Sequence, residues 1–387
     1  MDFAAAGLLD GLEGDERAAR LQLLQRLAAD GVGIGDLKAA VAEDRLALLP
    51  LDRVLGARYT AAEVEQQAGI PAALLIRFRR LLGLPAPAPD DRVFSEDDIA
   101  AARSTELFIE SGLEMDAIVE ITRVLGESMA RLAATSTAAF VEAFLQPGDS
   151  EQEIAVRFSL LAEQLTPALS PVLVAAYGAH LRESVGRGMI GREERESGRL
   201  PGAQEITVCF ADLVGFTRLG GDVELQELGS VAGQLASLAA DITNPPVRLV
   251  KTIGDAAMFV SPEPGPIVEV ALELVDAVHE AGLPSLRAGI ASGPALLRSG
   301  DFYGHSVNIA SRVTGVARPE SVLCTQEVRD AAADAFEWSF AGRHRLKGVA
   351  EPAPLHRARR LGAAAEAETT DSAKRQTAGR RRRRASS

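Results

Sequence analysis

Three short segments in the second half of the chain carry side chains suited to phosphate chemistry. In the first, residues 208–217, a partly β-branched apolar run ends at Asp212 and leads into a glycine-containing turn. Asp212 is a candidate cation ligand, and the backbone N–H groups of Gly215, Phe216 and Thr217 could hold phosphate oxygens. Taken alone, this segment is more typical of an ordinary turn or cap aspartate.

The second segment, residues 249–255, predicts a β-hairpin whose tight turn contains Gly254 and presents Asp255. If the adjacent strand is the first one, Asp255 and Asp212 converge. Two carboxylates without nitrogen or sulfur ligands suit Mg²⁺ or Mn²⁺, which keep water and substrate phosphate as further ligands. Lys251 in the same segment is either part of a site or a solvated strand end.

The third segment, residues 300–312, places Asn308 and Arg312 four residues apart in a helical pattern. The two side chains therefore share one helix face, about one turn apart. Arg312 offers a planar cation for phosphoryl oxygens, and Asn308 offers an amide that could orient a sugar. On a single helix the pair would be an ordinary surface pair. The spacing from Asp301, downstream of the other two segments, favours a site.

Together the segments resemble the catalytic domain of class III nucleotide cyclases, over about residues 206–356. The resemblance implies that Asp212 and Asp255 bind two Mg²⁺ or Mn²⁺ ions per active site. It also implies that Lys347, within a Leu-Lys-Gly sequence, contacts the triphosphate of the substrate. Each matching position carries the residue type of the family consensus.

The same resemblance implies that Lys251 and Asp301 read the base, while Asn308 and Arg312 stabilise the transition state. Adenine presents an acceptor at N1 and a donor at N6, which a lysine donor and an aspartate acceptor complement. Cyclases of the guanylate type are similar but have glutamate and cysteine there. A mismatched base would leave buried polar groups unpaired, and the pair therefore indicates ATP.

The implied reaction is attack of the ribose 3′-OH on the α-phosphorus, with release of pyrophosphate, in a two-metal site. Arg312 would meet the charge that develops on the phosphoryl group, and Asn308 would align the ribose. In this family the metal aspartates and the base-reading residues come from different subunits. The resemblance therefore implies a head-to-tail homodimer with two equivalent composite sites.

The composition allows two or three domains in 387 residues, and the net charge of −13 argues against nucleic-acid coating. Cys209 and Cys324 lie in apolar strand-like runs and are expected to be buried thiols in a reducing compartment. We expect no transmembrane segment and no signal peptide, and therefore a cytoplasmic protein.

Residues 1–190 predict an all-α regulatory domain, with helices starting near Asp15 and Gly35. Residues 59–125 resemble the helix-turn-helix of MerR-type regulators. Their second helix would carry three arginines: Arg77, Arg79 and Arg80. Acidic residues surround these arginines, and we expect a regulatory surface rather than a DNA-binding one.

The rest of the chain is predicted to comprise a connector at 191–204, a catalytic domain at 205–360 and a disordered basic tail at 361–387. The catalytic domain is predicted to be α+β and ferredoxin-like, with an antiparallel sheet flanked by helices on one face. The five arginines near the end of the tail could touch anionic lipid, nucleic acid or an acidic face of the protein.

The domain order resembles actinobacterial pH-sensing adenylate cyclases, which implies autoinhibition by the helical domain and its release on acidification. The leading hypothesis is an adenylate cyclase that makes 3′,5′-cyclic AMP and pyrophosphate. The alternative is an ATP-sensing transcription regulator with a MerR-like DNA-binding segment.

Overall fold

The computed structural model describes seven stretches of the chain: residues 1–29, 31–43, 45–50, 56–146, 148–186, 203–216 and 225–362. The chain divides into two compact units, Met1–Gly191 and Arg192–Ser387. Thr217, the basic tail beyond 362 and all but the last two residues of the predicted connector lie outside the described residues.

The first unit is helical, as the sequence predicts. Its helices are α1 Gly14–Ala29, α2 Ile34–Ala42, α3 Ala61–Ala68, α4 Ala72–Leu81, α5 Glu96–Glu110, α6 Met115–Phe144 and α7 Glu151–Gly186. A 3₁₀ turn, Leu46–Leu48, follows α2.

Two separate cores hold these helices. In the first, α1 and α2 bury leucines such as Leu24 and Leu37 together with Ala155 from the start of α7. In the second, α3 and α5 close around Val64, Phe94 and other apolar residues.

The helix–turn–helix pair α3 and α4 is fixed by a side-chain cap on α3 and by one arginine on α4. Thr60 and Glu63 form a capping box at the start of α3. Arg79 on α4 donates from Nε to the carbonyl of Pro85 at 3.1 Å and from Nη1 to that of Val93 at 3.4 Å. Its guanidinium also lies 5.5 Å from the centre of the Phe94 ring. Arg79 therefore holds the loop after α4.

Helix α7 departs from the expectation that no apolar run reaches membrane length. Residues 152–185 are long and apolar enough to cross a bilayer by length and composition alone. Residues 164–181 contain no Asp, Glu, Lys or Arg.

The second unit is an α+β domain around one sheet. Its strands are β1 Gln204–Leu213, β2 Arg248–Ile253, β3 Ala256–Ser261, β4 Leu286–Arg298, β5 Asp301–Tyr303, β6 Ser321–Thr325, β7 Glu337–His344 and β8 Ala353–Arg359. Its helices are α8 Leu225–Asp241, α9 Pro264–Glu280, α10 His305–Val316 and α11 Gln326–Ala331.

The strand order is β2-β3-β1-β4-β6-β8-β7, and β5 pairs with β4 off this path. The β4–β6 pair is parallel and the others are antiparallel. Strand β1 lies centrally, with Asp212 opposite Ala256 of β3 and Arg287 of β4.

Helices cover both faces of the sheet, and the prediction of helices on one face was wrong. Cys209 and Phe259 pack under α8, α9 and α11, whereas Val208 and Met258 pack under α10. The physical reason is that β1 directs apolar side chains to both faces of the sheet, and helices must bury each of these faces. We call the side that carries α10 and β5 the α10 face.

Two local differences also separate prediction from structure. Strand β5, which pairs with the end of the long strand β4, was not predicted. Asp212 lies within β1 rather than just after it, because its neighbours on both sides continue the backbone pairing.

Candidate active site

Asp212 and Asp255 come together at the end of β1. Asp212 is a half-buried residue of β1, and Asp255 lies in the turn between β2 and β3. The backbone N–H of Leu213 donates to the Asp255 carbonyl at 3.0 Å, which ties the turn to β1. Gly254 has a φ of 58°, a left-handed conformation that favours glycine in this tight turn.

The electrostatics of this pair suit a cation. Burial raises the pKa of Asp255, and the nearby Asp212 carboxylate raises it further, while its own backbone N–H and Arg287 act in the opposite direction. A bound divalent cation would offset the repulsion between the two carboxylates. Within the described residues, no group of three or more His, Cys, Asp or Glu side chains could hold a metal ion. Two carboxylates, completed by water and phosphate, fit Mg²⁺ or Mn²⁺.

Sequence reasoning missed Arg287, which is the direct partner of Asp212. It donates to Oδ2 of Asp212 from Nε at 3.1 Å and from Nη2 at 2.7 Å. Its Nη1 also donates to the Gly315 carbonyl at 3.3 Å, near the end of α10. The available signal was a charged residue inside an apolar strand, since such a residue needs a partner.

Lys251 and Asp301 form an ion pair on the α10 face. Lys251 lies on β2 opposite Met258, and Asp301 opens β5. The two side chains are 31% and 30% exposed, so that a ligand could reach both. Asp301 also accepts a hydrogen bond from the Phe302 N–H at 2.9 Å, and this bond orients its carboxylate.

Asn308 and Arg312 lie one turn apart on α10, Asn308 exposed and Arg312 half-buried. The guanidinium of Arg312 lies against Gly348, where an added Cβ would stand 3.3 Å from Nη1. Gly348 has a φ of 73°, and both facts favour glycine there. The exposed Lys347 precedes it, and the Leu-Lys-Gly turn thus sits beside Arg312.

The turn after β1 can contribute backbone N–H groups, rather than side chains, to the candidate site. Gly215 is exposed with a φ of 83°, and the preceding Val214 N–H donates to the Ser285 carbonyl at 2.8 Å. The Phe216 side chain packs against the core under α8 and α9. Any ligand contact of Phe216 is therefore left to its backbone.

Asp212, the Lys251–Asp301 pair and helix α10 share one side of the sheet but form separate groups. Cys209, Ala211 and Leu213 point to the opposite core, and the alternation of β1 directs Asp212 to the α10 face. Among the residues that the structure describes, we find no hydrogen bond or ion pair from the two aspartates to Lys251, Asp301 or Arg312.

Two family models match the chain. The one described as adenylate cyclase regulatory domain covers residues 1–185, and the one described as adenylate and guanylate cyclase catalytic domain covers residues 200–356.

Full-length relatives match both units at once. The pH-sensitive adenylate cyclase MT1302 of Mycobacterium tuberculosis is 41% identical over 91% of this chain and 91% of its own length. An adenylate cyclase of Streptomyces coelicolor is 34% identical over 76% of this chain and 79% of its own. The crystal structure of the adenylyl cyclase CyaB from P. aeruginosa covers 41% of this chain and 94% of that chain at 18% identity. The TM-score of this match is 0.36, which is too low to support a conclusion from the structural similarity.

The chain belongs to the adenylate cyclases in which a regulatory domain precedes a class III catalytic domain. The resemblance found in the sequence is thereby confirmed. The alternative of a transcription regulator receives no support, because the regulatory family model covers the helix-turn-helix-like segment.

Proposed function

We propose that the protein converts ATP to 3′,5′-cyclic AMP and pyrophosphate at composite sites of a head-to-tail homodimer. The observation that carries this proposal is the grouping on the α10 face. The metal-type pair of Asp212 and Asp255 and the base-type pair of Lys251 and Asp301 each assemble within one chain. In the described part of the chain, no hydrogen bond or ion pair joins one pair to the other.

The Lys251–Asp301 ion pair supports ATP as the substrate. One ammonium donor and one carboxylate acceptor, both partly exposed, match the acceptor at N1 and the donor at N6 of adenine. Paired with each other, the two side chains remain satisfied until the base edge replaces both partners. Guanine would meet a donor with a donor, which leaves polar groups unpaired.

The groups on α10 support phosphoryl transfer. Arg312 would neutralise charge on the α-phosphoryl group, because a preorganised cation acts most where charge develops. Asn308, one turn earlier, would hold the ribose so that its 3′-OH attacks in line. Lys347 would contact the triphosphate from the turn beside Arg312.

Asp212 and Asp255 would hold two Mg²⁺ or Mn²⁺ ions per site, which supply positive charge to the 3′-OH and to the β- and γ-phosphates. The backbone N–H groups of Gly215 and Phe216, with Thr217, would bind phosphate oxygens. In the dimer, these groups of one chain would face Lys251 and Arg312 of the other.

We also propose a ferredoxin-like centre for the catalytic unit and a MerR-like scaffold within the helical unit. The first four strands follow a β-α-β-β-α-β sequence in the order β2-β3-β1-β4, which supports a ferredoxin-like centre. Helices α3 and α4 would be a MerR-like scaffold used as a regulatory surface. Free, buried Cys209 and Cys324 support a reducing, cytoplasmic location.

We propose further that the helical unit inhibits the catalytic unit and releases it on acidification. The name of the pH-sensitive relative supports this. The test is cyclic AMP production from ATP, from about pH 5.5 to 8, by the full chain and by a fragment of residues 202–362. The proposal predicts that activity of the full chain rises as pH falls while that of the fragment does not.

Equal activities at every pH would contradict the inhibition but keep the cyclase. If neither protein produced cyclic AMP from ATP with Mn²⁺ present, the proposed catalytic activity would be contradicted.

A further inference from the structure

Thr314 is a buried polar residue on α10, two residues after Arg312, and is only 4% exposed. Its hydroxyl lies within donating distance of two carbonyls, that of Ala310 at 2.9 Å and that of Phe210 on β1 at 3.1 Å. The bond to Ala310, one turn earlier, is the usual back-bond of a threonine inside a helix. The bond to Phe210 crosses from the helix to the sheet, and a side chain of the same shape without a hydroxyl could not make it.

Gly289 on β4 allows this close approach of helix and sheet. It pairs with Phe210 in the sheet, and an added Cβ there would stand 2.1 Å from the Thr314 nitrogen and 2.6 Å from its Oγ1. The backbone of α10 therefore lies directly on the backbone of the sheet at this point, without a side chain between them. Because the helix is so close, the short Thr314 side chain reaches a strand carbonyl.

The last turn of α10 has a second link to the end of β1. The carbonyl of Gly315, the residue after Thr314, accepts from Nη1 of Arg287 at 3.3 Å. The same guanidinium donates from Nη2 to Asp212 at 2.7 Å, and Asp212 follows Phe210 by two residues. Two consecutive residues of the helix are thus tied to β1, one directly and the other through Arg287.

The first turn of α10 has an anchor of its own. The Ser306 hydroxyl donates to the Pro294 carbonyl of β4 at 3.3 Å, and an added Cβ at Gly304 would stand 2.6 Å from the same oxygen. Asn308 lies two residues after Ser306 and is held by this anchor. The place of Arg312 depends instead on the last turn.

Arg312 lies on the other side of the helix from Thr314. Residues two apart in an α-helix are separated by about 200° around its axis, so that Thr314 faces the sheet while Arg312 faces away from it. In the part of the chain that the structure describes, Arg312 has no hydrogen-bond acceptor, and its guanidinium lies against the Gly348 backbone. Its place is therefore set by the position of α10. A misplacement of about 1 Å at a reacting group can cost about 100-fold in rate.

We propose that Thr314 is a positioning residue for cyclic AMP formation. Its hydroxyl, bonded to the Phe210 carbonyl, fixes the last turn of α10 on the sheet and thereby the place at which Arg312 meets the α-phosphoryl group. Thr314 itself contacts neither the nucleotide nor the metal ions, because it is buried between α10 and the sheet. The inference rests on the proposed function and adds to it a residue that acts through Arg312.

Steady-state kinetics of cyclic AMP formation by the full chain test this role. Thr314→Val keeps the branched shape but removes the donor, and we expect kcat to fall about five- to ten-fold, as for the loss of one hydrogen bond. The KM for ATP should stay within about two-fold, because the lost interaction acts only in the transition state. Thr314→Ser keeps the hydroxyl and should retain kcat within about two-fold of the wild type. Thr314→Ala lacks the donor and cannot clash, and it gives the same readout if the valine variant folds poorly.

Thr207→Val is the matched control. Thr207 is also a buried threonine, on β1, and shares a hydrogen bond of 2.8 Å with the Ser292 hydroxyl of β4. Like Cys209, two residues later, it points to the side of the sheet opposite α10. Its substitution should lower the melting temperature but leave kcat unchanged. An equal fall in kcat for Thr207→Val and Thr314→Val would assign the effect to any lost buried hydrogen bond and overturn the proposal.

A double-mutant cycle with Arg312 gives a readout that a purely structural role would not move. If Thr314 acts by placing Arg312, Thr314→Val should change the residual kcat of Arg312→Ala by less than about two-fold. An undiminished loss in this background would show that Thr314 acts independently of Arg312 and would overturn the proposal. Wild-type kcat in Thr314→Val, or an equal loss of kcat in Thr314→Ser, would overturn it as well.

The failure of this inference is separable from the failure of the proposed function. A wild type that makes no cyclic AMP would overturn both. An active wild type together with an equally active Thr314→Val would overturn only the positioning role. No activity regained on mixing Asp212→Ala and Arg312→Ala chains would remove the composite site but keep the role of Thr314, because Thr314 and Arg312 lie on one helix of the same chain.

Discussion

Arg79 and Arg312 each lie on a short helix of a compact unit, but they are used in different ways. Arg79 donates two of its five N–H groups to carbonyls of its own fold and stacks on Phe94. Arg312 lies against the backbone of Gly348, and within the described ranges we find no acceptor for it. An arginine held by its own fold is structural, whereas one left with free donors beside other functional groups is available to a ligand.

The largest expected effect tests this contrast directly. Arg312→Ala should lower kcat by about 10² to 10³-fold, the usual loss when a preorganised charge is removed from a developing anion. Its melting temperature should stay within a degree or two of the wild type. Arg79→Ala should instead lower the free energy of unfolding by about 1–2 kcal/mol, since two hydrogen bonds are lost.

Steady-state kinetics and calorimetry on both variants check this prediction. The contrast fails if Arg312→Ala unfolds the protein or if Arg79→Ala leaves its stability unchanged.

A second prediction tests whether Lys251 and Asp301 select the base of the nucleotide substrate. Replacing the Lys251–Asp301 pair by Lys251→Glu and Asp301→Cys should shift the ratio of kcat/KM for ATP over GTP by more than about 100-fold, because the donor and acceptor pattern is changed. Glu273→Gln, exposed on α9, is the matched control. An unchanged nucleotide preference in the double variant would show that this pair does not read the base.

Substitutions at two glycines test whether the two units unfold independently. An added Cβ at Gly289 would stand 2.1 Å from the Thr314 nitrogen, and one at Gly126 would stand 2.5 Å from Cα of Leu82. Each substitution to alanine should therefore cost about 1–3 kcal/mol through overpacking. In differential scanning calorimetry of the full chain, each should lower only the transition of its own unit.

Gly229→Ala is the control, because a Cβ there meets nothing within 4 Å and alanine favours a helix. A single transition lowered equally by both substitutions would contradict the separation of the units.

Much of the catalytic unit could be predicted from its sequence because its functional residues lie at the ends of short, regular patterns. The hairpin at 248–261 and the helix at 305–316 were found for this reason. Strand β5 has only three residues and carries little pattern of its own. Arg287 was missed because its partner Asp212 is 75 residues away in sequence.

The helical unit was less predictable, for a different physical reason. The periodicity of α7 indicates a helix but not what surrounds it, because apolar residues lie on both of its sides. Which groups pack against such a helix depends on residues that are distant from it in the sequence or belong to another molecule. The role of Arg79 was likewise set by the loop that follows α4.

The smallest expected effect concerns acid stability. Burial, with a further contribution from Arg329, lowers the pKa of His356 on β8, whereas Asp330 acts the other way. The folded state therefore favours neutral imidazole, and its contribution to stability is present above the unfolded pKa of about 6.5 and lost as the pH falls.

The melting temperature of the 202–362 fragment should thus fall between pH 7 and pH 5, and His356→Gln should make this fall smaller. Identical pH profiles for the two proteins would contradict the assignment. This loss of stability opposes acid activation, and the stability and activity profiles should therefore be recorded separately.

If each active site needs two chains, mixing two inactive variants should restore activity, and subunit mixing is therefore the most direct test. Asp212→Ala and Arg312→Ala chains should each make almost no cyclic AMP alone. When mixed in equal amounts, they should form heterodimers with one intact site and regain about a quarter of the wild-type activity, since half of the dimers are then mixed and each has one of two sites. No gain on mixing, with heterodimers demonstrated by differential tagging, would contradict the composite site.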